Sequence, residues 1–286
     1  MSMVTTYALV LVPGLGVTHG GARRWIGFGP FSLQPSEFAK TVVVLYLAHS
    51  LARKRDRMGD FTVGVLPHLV VVGVCVLLVA AQPDFGTAVI LVLVLVFMLW
   101  GGGARPAHLI GLVLAAAPVV GVALVHAPYR WRRILAFLDP WRYSQDIAFQ
   151  LVQSLIAFGS GGITGVGLGE SQQKMFFLPE AHTDFIFSLI GEELGVCGAL
   201  LVLALFAVVG VRGFRIALRH PDSFGSMLAF GVTLVILLEA VVNVGVVMGL
   251  LPTKGLALPF LSYGGSALIS TLVQIGILAS LSRVTG

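Results

Sequence analysis

The sequence predicts an all-α, polytopic transmembrane helical bundle of about seven to eight spans. Three observations carry this. Of the 286 residues, 57% are hydrophobic and only 11% are charged, against about 25% charged in soluble domains. Apolar runs recur along the whole chain, at lengths near the roughly 20 residues that a helix needs to cross a bilayer. Lipid offers no partner to an unpaired strand edge, so open sheets are excluded and helices remain. Residues 1–286 read as a single integral membrane domain.

The apolar stretches place helices at 36–51, 63–81, 86–100, 107–126, 185–210, 224–250 and 266–282. Stretches 36–51 and 86–100 are short and borrow flanking residues to cross, within the latitude that tilt allows. An eighth stretch, 4–17, is short and is interrupted by Pro13 and Gly14. Segment 127–184 reads as a long external loop. Cys75 and Cys197 both fall inside apolar runs. Thiols there act as small buried hydrophobes, and neither their number nor their spacing suggests a disulfide framework or a metal site.

The sides of the membrane follow from the cations. Arg53, Lys54, Arg55 and Arg57 cluster directly after the first stretch, and such clusters stay in the cytoplasm. Threading outward puts Arg105, then Arg212, Arg215 and Arg219, then Arg283 on the same side. Residues 18–35, 82–85, 127–184 and 251–265 then lie outside. Nine of the 18 basic residues are thereby cytoplasmic, and nine are outside or near the outer boundary: Arg23, Arg24, Lys40, Arg130, Arg132, Arg133, Arg142, Lys174 and Lys254. The positive-inside tendency should have thinned out the second group. Two explanations stand. Loop 127–184 is long enough to escape the rule and its arginines meet headgroups, or the outer cations serve an anionic ligand, because guanidinium forks suit phosphate oxygens. The net charge of +5 is therefore a matter of membrane sides and implies no nucleic-acid partner.

The carboxylates are also concentrated. The stretch "LPEAHTDFIFSLIGEELG" (178–195) holds four of the 13 acidic residues, Glu180, Asp184, Glu192 and Glu193, around His182. Asp184 or Thr183 would cap a helix starting near 185, or Asp184 would serve as a general base. Glu192 and Glu193 lie eight and nine residues further on, about 12 Å deeper along a continuous helix. Ionised groups at that depth need partners, and an outer-side cation such as Lys40, Arg24 or Lys254 would supply one. The structural pairing set is thus Lys40, Glu192 and Glu193. His182 reads as a hydrogen-bonding neighbour, since no second His or Cys stands at ligand spacing. Gly159, Gly161, Gly162, Gly165, Gly167 and Gly169 form either a backbone cradle for phosphate or a flexible connector. Glu239 is an intramembrane acid, a functional suspect by default, or the hydrogen-bond partner of Asn243 one turn on. Gly245 and Gly249 give a GxxxG face suited to close helix packing.

Four blocks make the chain resemble a known family: "GARRWIGFGPFSLQPSEFAK" (21–40), "QPDFGTA" (82–88), the run from "QSLIAFGSGG" through "LPEAHTDFIFSLIGEELG" (153–195), and "NVGVVMGLLPTKGLALPFLSYGGSALI" (243–269). In this order they resemble the SEDS proteins of shape, elongation, division and sporulation, which include FtsW and RodA. "PTKGL" and "LPEAHTDF" resemble the division-type FtsW more than the elongation-type RodA. Members have about ten spans, so the resemblance implies a chain that starts inside the third and is truncated at its N-terminus. Glu239 stands where the family usually has Gln, and "SQDIAFQ" lacks a glycine often seen in that loop.

The resemblance implies an inverting glycosyltransferase that polymerises lipid II into glycan strands on the outer face of the bacterial cytoplasmic membrane. Its implied partners are lipid II, a class B penicillin-binding protein that cross-links the peptides, and other division proteins. Asp184 matches the family's essential aspartate in "HTDF", which favours the base over the cap. The implied substrate-binding set is Arg23, Arg24, Arg130, Arg132, Arg133, Lys174, His182, Lys254 and Ser262. A divalent cation, Mg²⁺ or Mn²⁺, on the pyrophosphate is chemically sensible, although no dedicated ligand cage is visible. The competing readings are a flippase or transporter for a lipid-linked precursor and an inactive, truncated division scaffold. For topology, a cysteine introduced near Gly59 is expected to react only with reagents that enter the cytoplasm. One near Gly162 is expected to react with impermeant reagents on intact cells, and the opposite labelling pattern inverts the assignment.

Overall fold

The computed structural model describes the backbone of residues 16–19, 22–28, 31–125, 128–171 and 182–285. The stretch 4–15 lies outside the described residues, as do Lys174 and Glu180; for Arg23, Arg24 and Arg130 only the backbone is described. The fold is helical, as the composition requires. Its helices are α1 (Pro35–Arg53), α2 (Leu66–Ala81), α3 (Phe85–Gly101), α4 (Pro106–Val125), α5 (Pro128–Leu138), α6 (Phe149–Gly161), α7 (Ile186–Glu193), α8 (Gly195–Arg219), α9 (Ser223–Val247) and α10 (Gly265–Thr285). Four described helical segments are long and apolar enough to cross a membrane: Phe61–Ala81, α8, α9 and α10. Three short strands, β1 (Gly16–His19), β2 (Ala22–Phe28) and β3 (Phe31–Leu33), form an antiparallel meander. It lies in a stretch expected outside the bilayer, where water can satisfy its edges.

Contacts divide the chain into two compact units. The first comprises residues 1–111, 210–238 and 264–286; the second comprises 112–209 and 239–263. In the first, α3 packs on both α1 and α2, and α10 packs on α1. Gly231 on α9 leaves room for the Val44 and Met98 side chains, which a methyl group there would meet at 2.7 and 2.8 Å. Helix α1 begins with a proline at its first turn, where the missing N–H costs nothing. Helix α3 is capped by Asp84, which accepts from the Thr87 N–H at 3.2 Å and the Thr87 hydroxyl at 2.9 Å. Ser36 donates to the same carboxylate at 3.1 Å. Two further polar ties fix α10 to α1: Gln274 donates to the Thr41 hydroxyl at 2.9 Å, and Ser270 donates to the Glu37 carbonyl at 2.9 Å.

In the second unit the structure departs from the expected spans. The stretch 185–210 is not one helix. It breaks at Leu194 and Gly195, and Gly195 has φ of 65°, a left-handed conformation that ends a helix at little cost for glycine. The broken ends pair with residues 162–167. The N–H groups of Val166 and Gly167 donate to the carbonyls of Glu192 and Glu193, and those of Val196 and Cys197 donate to Gly162 and Ile163. Within the glycine-rich segment, the amides of Gly165, Val166 and Gly167 are thus already taken by carbonyls and are not open to a phosphate. Glu192 and Glu193 sit in the last turn of an eight-residue helix rather than deep along a long one.

Three further expectations change. Segment 127–184 is not a bare loop, since it contains α5 and α6. The α5 sequence "PYRWRRILAFL", 11 residues long, is too short to cross a bilayer, but it buries Ala136 against Ala148 and Val152. Gly245 and Gly249 do not form a helix-packing face. Helix α9 ends at Val247, Gly249 has φ of 71°, and the Gly245 carbonyl accepts from the N–H groups of Leu250 and Leu251. Both glycines thus serve the turn that ends the helix. Of the two thiols only Cys75 is buried, and Cys197 is exposed on α8.

Gly161 and Gly159 allow a paired test. A methyl group on Gly161 would overlap the Gly191 carbonyl oxygen and come within 2.9 Å of the Glu192 Cα, whereas one on Gly159 meets nothing within 4 Å. Gly161→Ala is expected to destabilise the protein by about 3 kcal/mol, the upper range of overpacking. Gly159→Ala, inside α6, is expected to stabilise it by about 0.5–1 kcal/mol. Thermal unfolding in detergent checks both.

Candidate active site

The second unit holds the proposed base on a turn that its neighbours grip by the backbone. Residues 182–185 lead into α7, whose N-cap position is Phe185 with no side-chain cap. The N-cap position thus falls one residue after Asp184 and two after Thr183. Three successive carbonyls are bound from one direction in the sequence. The Tyr263 N–H donates to the His182 carbonyl at 2.9 Å, the Ser262 hydroxyl donates to the Thr183 carbonyl, and the Asn243 side-chain amide donates to the Asp184 carbonyl at 2.9 Å. Phe185 and Phe187, 3% and 1% exposed, anchor the start of the helix.

The segment 252–256, "PTKGL", closes over this turn. Asn243 donates its second amide hydrogen to the Leu256 carbonyl, so one side chain clamps both pieces of irregular backbone. Both hydrogens of its amide nitrogen are then engaged, and the expected hydrogen bond from Asn243 to Glu239 is replaced by this clamp. Ser262 also accepts from the Leu258 N–H at 2.7 Å. Its hydroxyl thus bridges the Leu258 N–H and the Thr183 carbonyl. Gly255 lies directly against the half-buried Asp184 carboxylate. A methyl group there would overlap Oδ2 and stand 3.4 Å from Cγ.

The cations are partly gathered here. Arg133 on α5 donates from its guanidinium to the Thr253 carbonyl at 3.3 Å, next to Lys254 and two residues before Gly255 in the chain. Arg132 forms an ion pair with Asp146, with side chains 55% and 58% exposed; a pair so wet contributes little to stability. Arg142 is exposed, as is the His182 side chain. Glu192, 2% exposed, accepts from the hydroxyls of Ser171 and Ser160. In the first unit Lys40 forms a buried ion pair with Glu37 at 2.7 Å, one turn back on its own helix. Neither the serine partners of Glu192 nor the Glu37–Lys40 pair was anticipated from the sequence. Among the described residues no three His, Cys, Asp or Glu side chains come together as a metal-ligand set.

Comparison with known proteins settles the lineage. The FtsW/RodA/SpoVE family of cell cycle proteins matches over residues 1–286. The chain belongs to this family. It is 48% identical over 274 residues to the probable peptidoglycan glycosyltransferase FtsW of Geobacter metallireducens, covering 96% of this chain and 73% of that relative. It is 46% identical over 276 residues to stage V sporulation protein E of Bacillus subtilis, covering 96% and 71%. Among solved structures it is similar to a chain of a peptidoglycan synthase complex that coordinates polymerization and crosslinking, with a TM-score of 0.80 and 32% identity over 98% of this chain and 79% of that one. Like the other members of the FtsW/RodA/SpoVE family, the chain is a multi-pass membrane protein.

Asn243, Thr253 and Gly255 were missed as site residues. An Asn inside an apolar run was the available signal, since a buried amide without a partner is costly. Ser262→Ala is expected to lower stability by about 1–3 kcal/mol, because the Thr183 carbonyl and the Leu258 N–H lose their shared partner. The shift in unfolding temperature measures it.

Proposed function

We propose that this chain is a peptidoglycan glycosyltransferase that polymerises lipid II on the outer face of the bacterial cytoplasmic membrane. The observation that carries the mechanism is the Asp184 carboxylate, held against Gly255 on a turn bound at three consecutive carbonyls. Asp184 takes the proton from the acceptor sugar hydroxyl as its oxygen attacks the donor's anomeric carbon. The bond from that carbon to the lipid pyrophosphate breaks, and the pyrophosphate leaves with the bonding electrons. Attack opposite the leaving group inverts the anomeric centre. Arg133 and Lys254 meet the charge that builds on the departing phosphates, where preorganised cations lower the barrier. Arg23, Arg24, Arg130 and Lys174 are further candidates for phosphate contact, and His182, exposed on the turn, is another.

The relatives support chemistry over transport, because the Geobacter relative is called a probable peptidoglycan glycosyltransferase. Similarity to a chain of a synthase complex that couples polymerization to crosslinking supports a cross-linking partner, here a class B penicillin-binding protein. A divalent cation carried on the pyrophosphate is compatible with this scheme, and no step depends on it.

Asp184→Asn keeps the size of the side chain and removes the base. Loss of a positioned base costs about 10²–10⁴-fold in rate. Glycan synthesis from purified lipid II is therefore expected to fall by that factor with the unfolding temperature unchanged. Polymerisation at the parent rate would remove Asp184 from the chemistry.

A further inference from the structure

We propose that Gly255 and Asn243 are positioning residues that together set where the Asp184 carboxylate points; this rests on Asp184 being the base. The argument starts from what the backbone alone leaves open. Asp184 sits in the turn that leads into α7, one residue before its N-cap Phe185. Two contacts bear on where that turn and its carboxylate lie. Asn243, 2% exposed, joins the Asp184 carbonyl to the Leu256 carbonyl through one amide. That fixes the distance between the turn and the 252–256 segment. Gly255 then supplies an opening one methyl group wide, filled by the carboxylate itself.

The position admits no side chain without moving the base. A Cβ on Gly255 would overlap Asp184 Oδ2 and reach Oδ1 at 3.9 Å, and its three nearest neighbours are all atoms of this one carboxylate. Gly255 carries no left-handed backbone angle, so the backbone itself tolerates alanine. The demand for glycine is therefore steric and is exerted by the carboxylate. An end-of-chain carboxylate can rotate away from a methyl group with little cost to folding, and the cost falls on geometry. A misplacement of about 1 Å at a reacting group can cost about 10²-fold in rate.

The experiment measures lipid II turnover and thermal unfolding for the parent, Gly255→Ala, Asn243→Ala, Asp184→Asn, Asp184→Ala and the double variant Asp184→Ala/Gly255→Ala. Gly255→Ala is expected to keep the parent unfolding temperature and the parent KM within about threefold while kcat falls about 10²-fold. Asn243→Ala is expected to lower kcat in the same direction with KM unchanged. With Asp184 already shortened to alanine, adding the Gly255 methyl group is expected to change neither the residual rate nor the stability, since non-additivity marks direct contact. A kcat for Gly255→Ala within threefold of the parent, while Asp184→Asn is inactive, overturns the proposal and leaves the base intact. Parent-rate turnover by Asp184→Asn overturns the base and the proposal with it. If Gly255→Ala unfolds early, recovery of stability in the double variant supports the contact with Asp184, and failure to recover overturns it.

Discussion

Backbone that leaves the helix loses its regular hydrogen bonds and needs new partners, and in this chain other irregular segments supply them. This constraint explains more of the structure than apolar packing does. Where residues 162–167 depart from helical geometry, their amides and carbonyls pair with the broken end of α7 and the start of α8. Where residues 182–184 form a turn, their carbonyls are taken by Tyr263, Ser262 and Asn243. Where α9 stops at Val247, the Gly245 carbonyl accepts from two successive amides. Glycine recurs at these places because backbone must approach backbone: a methyl group on Gly161, Gly165 or Gly195 would strike a carbonyl oxygen.

The same constraint gives the site its rigidity. A catalytic carboxylate on irregular backbone would ordinarily be mobile. Here the backbone beneath it is held by three hydrogen bonds, each worth about 0.5–1.5 kcal/mol net and more when its loss leaves a buried group unpaired. Asn243 is central because one short side chain satisfies two carbonyls on different pieces of irregular chain. A leucine there would leave both carbonyls without this donor. The turn and the "PTKGL" segment are thus one assembly, and Arg133 extends it to α5 through the Thr253 carbonyl.

Charge is handled by placement more than by number. The Glu37–Lys40 pair is buried, with side-chain exposures of 11% and 2%. Separating it would strand a charge away from water, a loss of about 3–5 kcal/mol when one partner of a buried pair is removed. The Arg132–Asp146 pair is more than half exposed, and water weakens it. Glu192 receives hydroxyls from Ser171 and Ser160, so part of the cost of burying its carboxylate is met by neutral donors.

The sequence by itself determined the fold class, six of the seven expected helices to within three residues at either end, the family, and the place of Asp184 at the mouth of a helix. Those features are local: hydropathy sums along a segment, charges cluster at span ends, and motifs are contiguous. It did not determine the break at Leu194 and Gly195, the helices α5 and α6 within a presumed loop, or the role of Asn243. Each of these depends on partners distant in the chain. Whether 185–210 runs on as one helix is decided by Gly162 and Ile163, whose carbonyls are available to Val196 and Cys197. Whether Asn243 faces Glu239 or Asp184 is decided by the return of residues 252–256 across the turn. Hydropathy is blind to such pairings, because it records how much a residue dislikes water and not which backbone group lies opposite it; only the tertiary structure, which brings those groups within hydrogen-bonding distance, decides them.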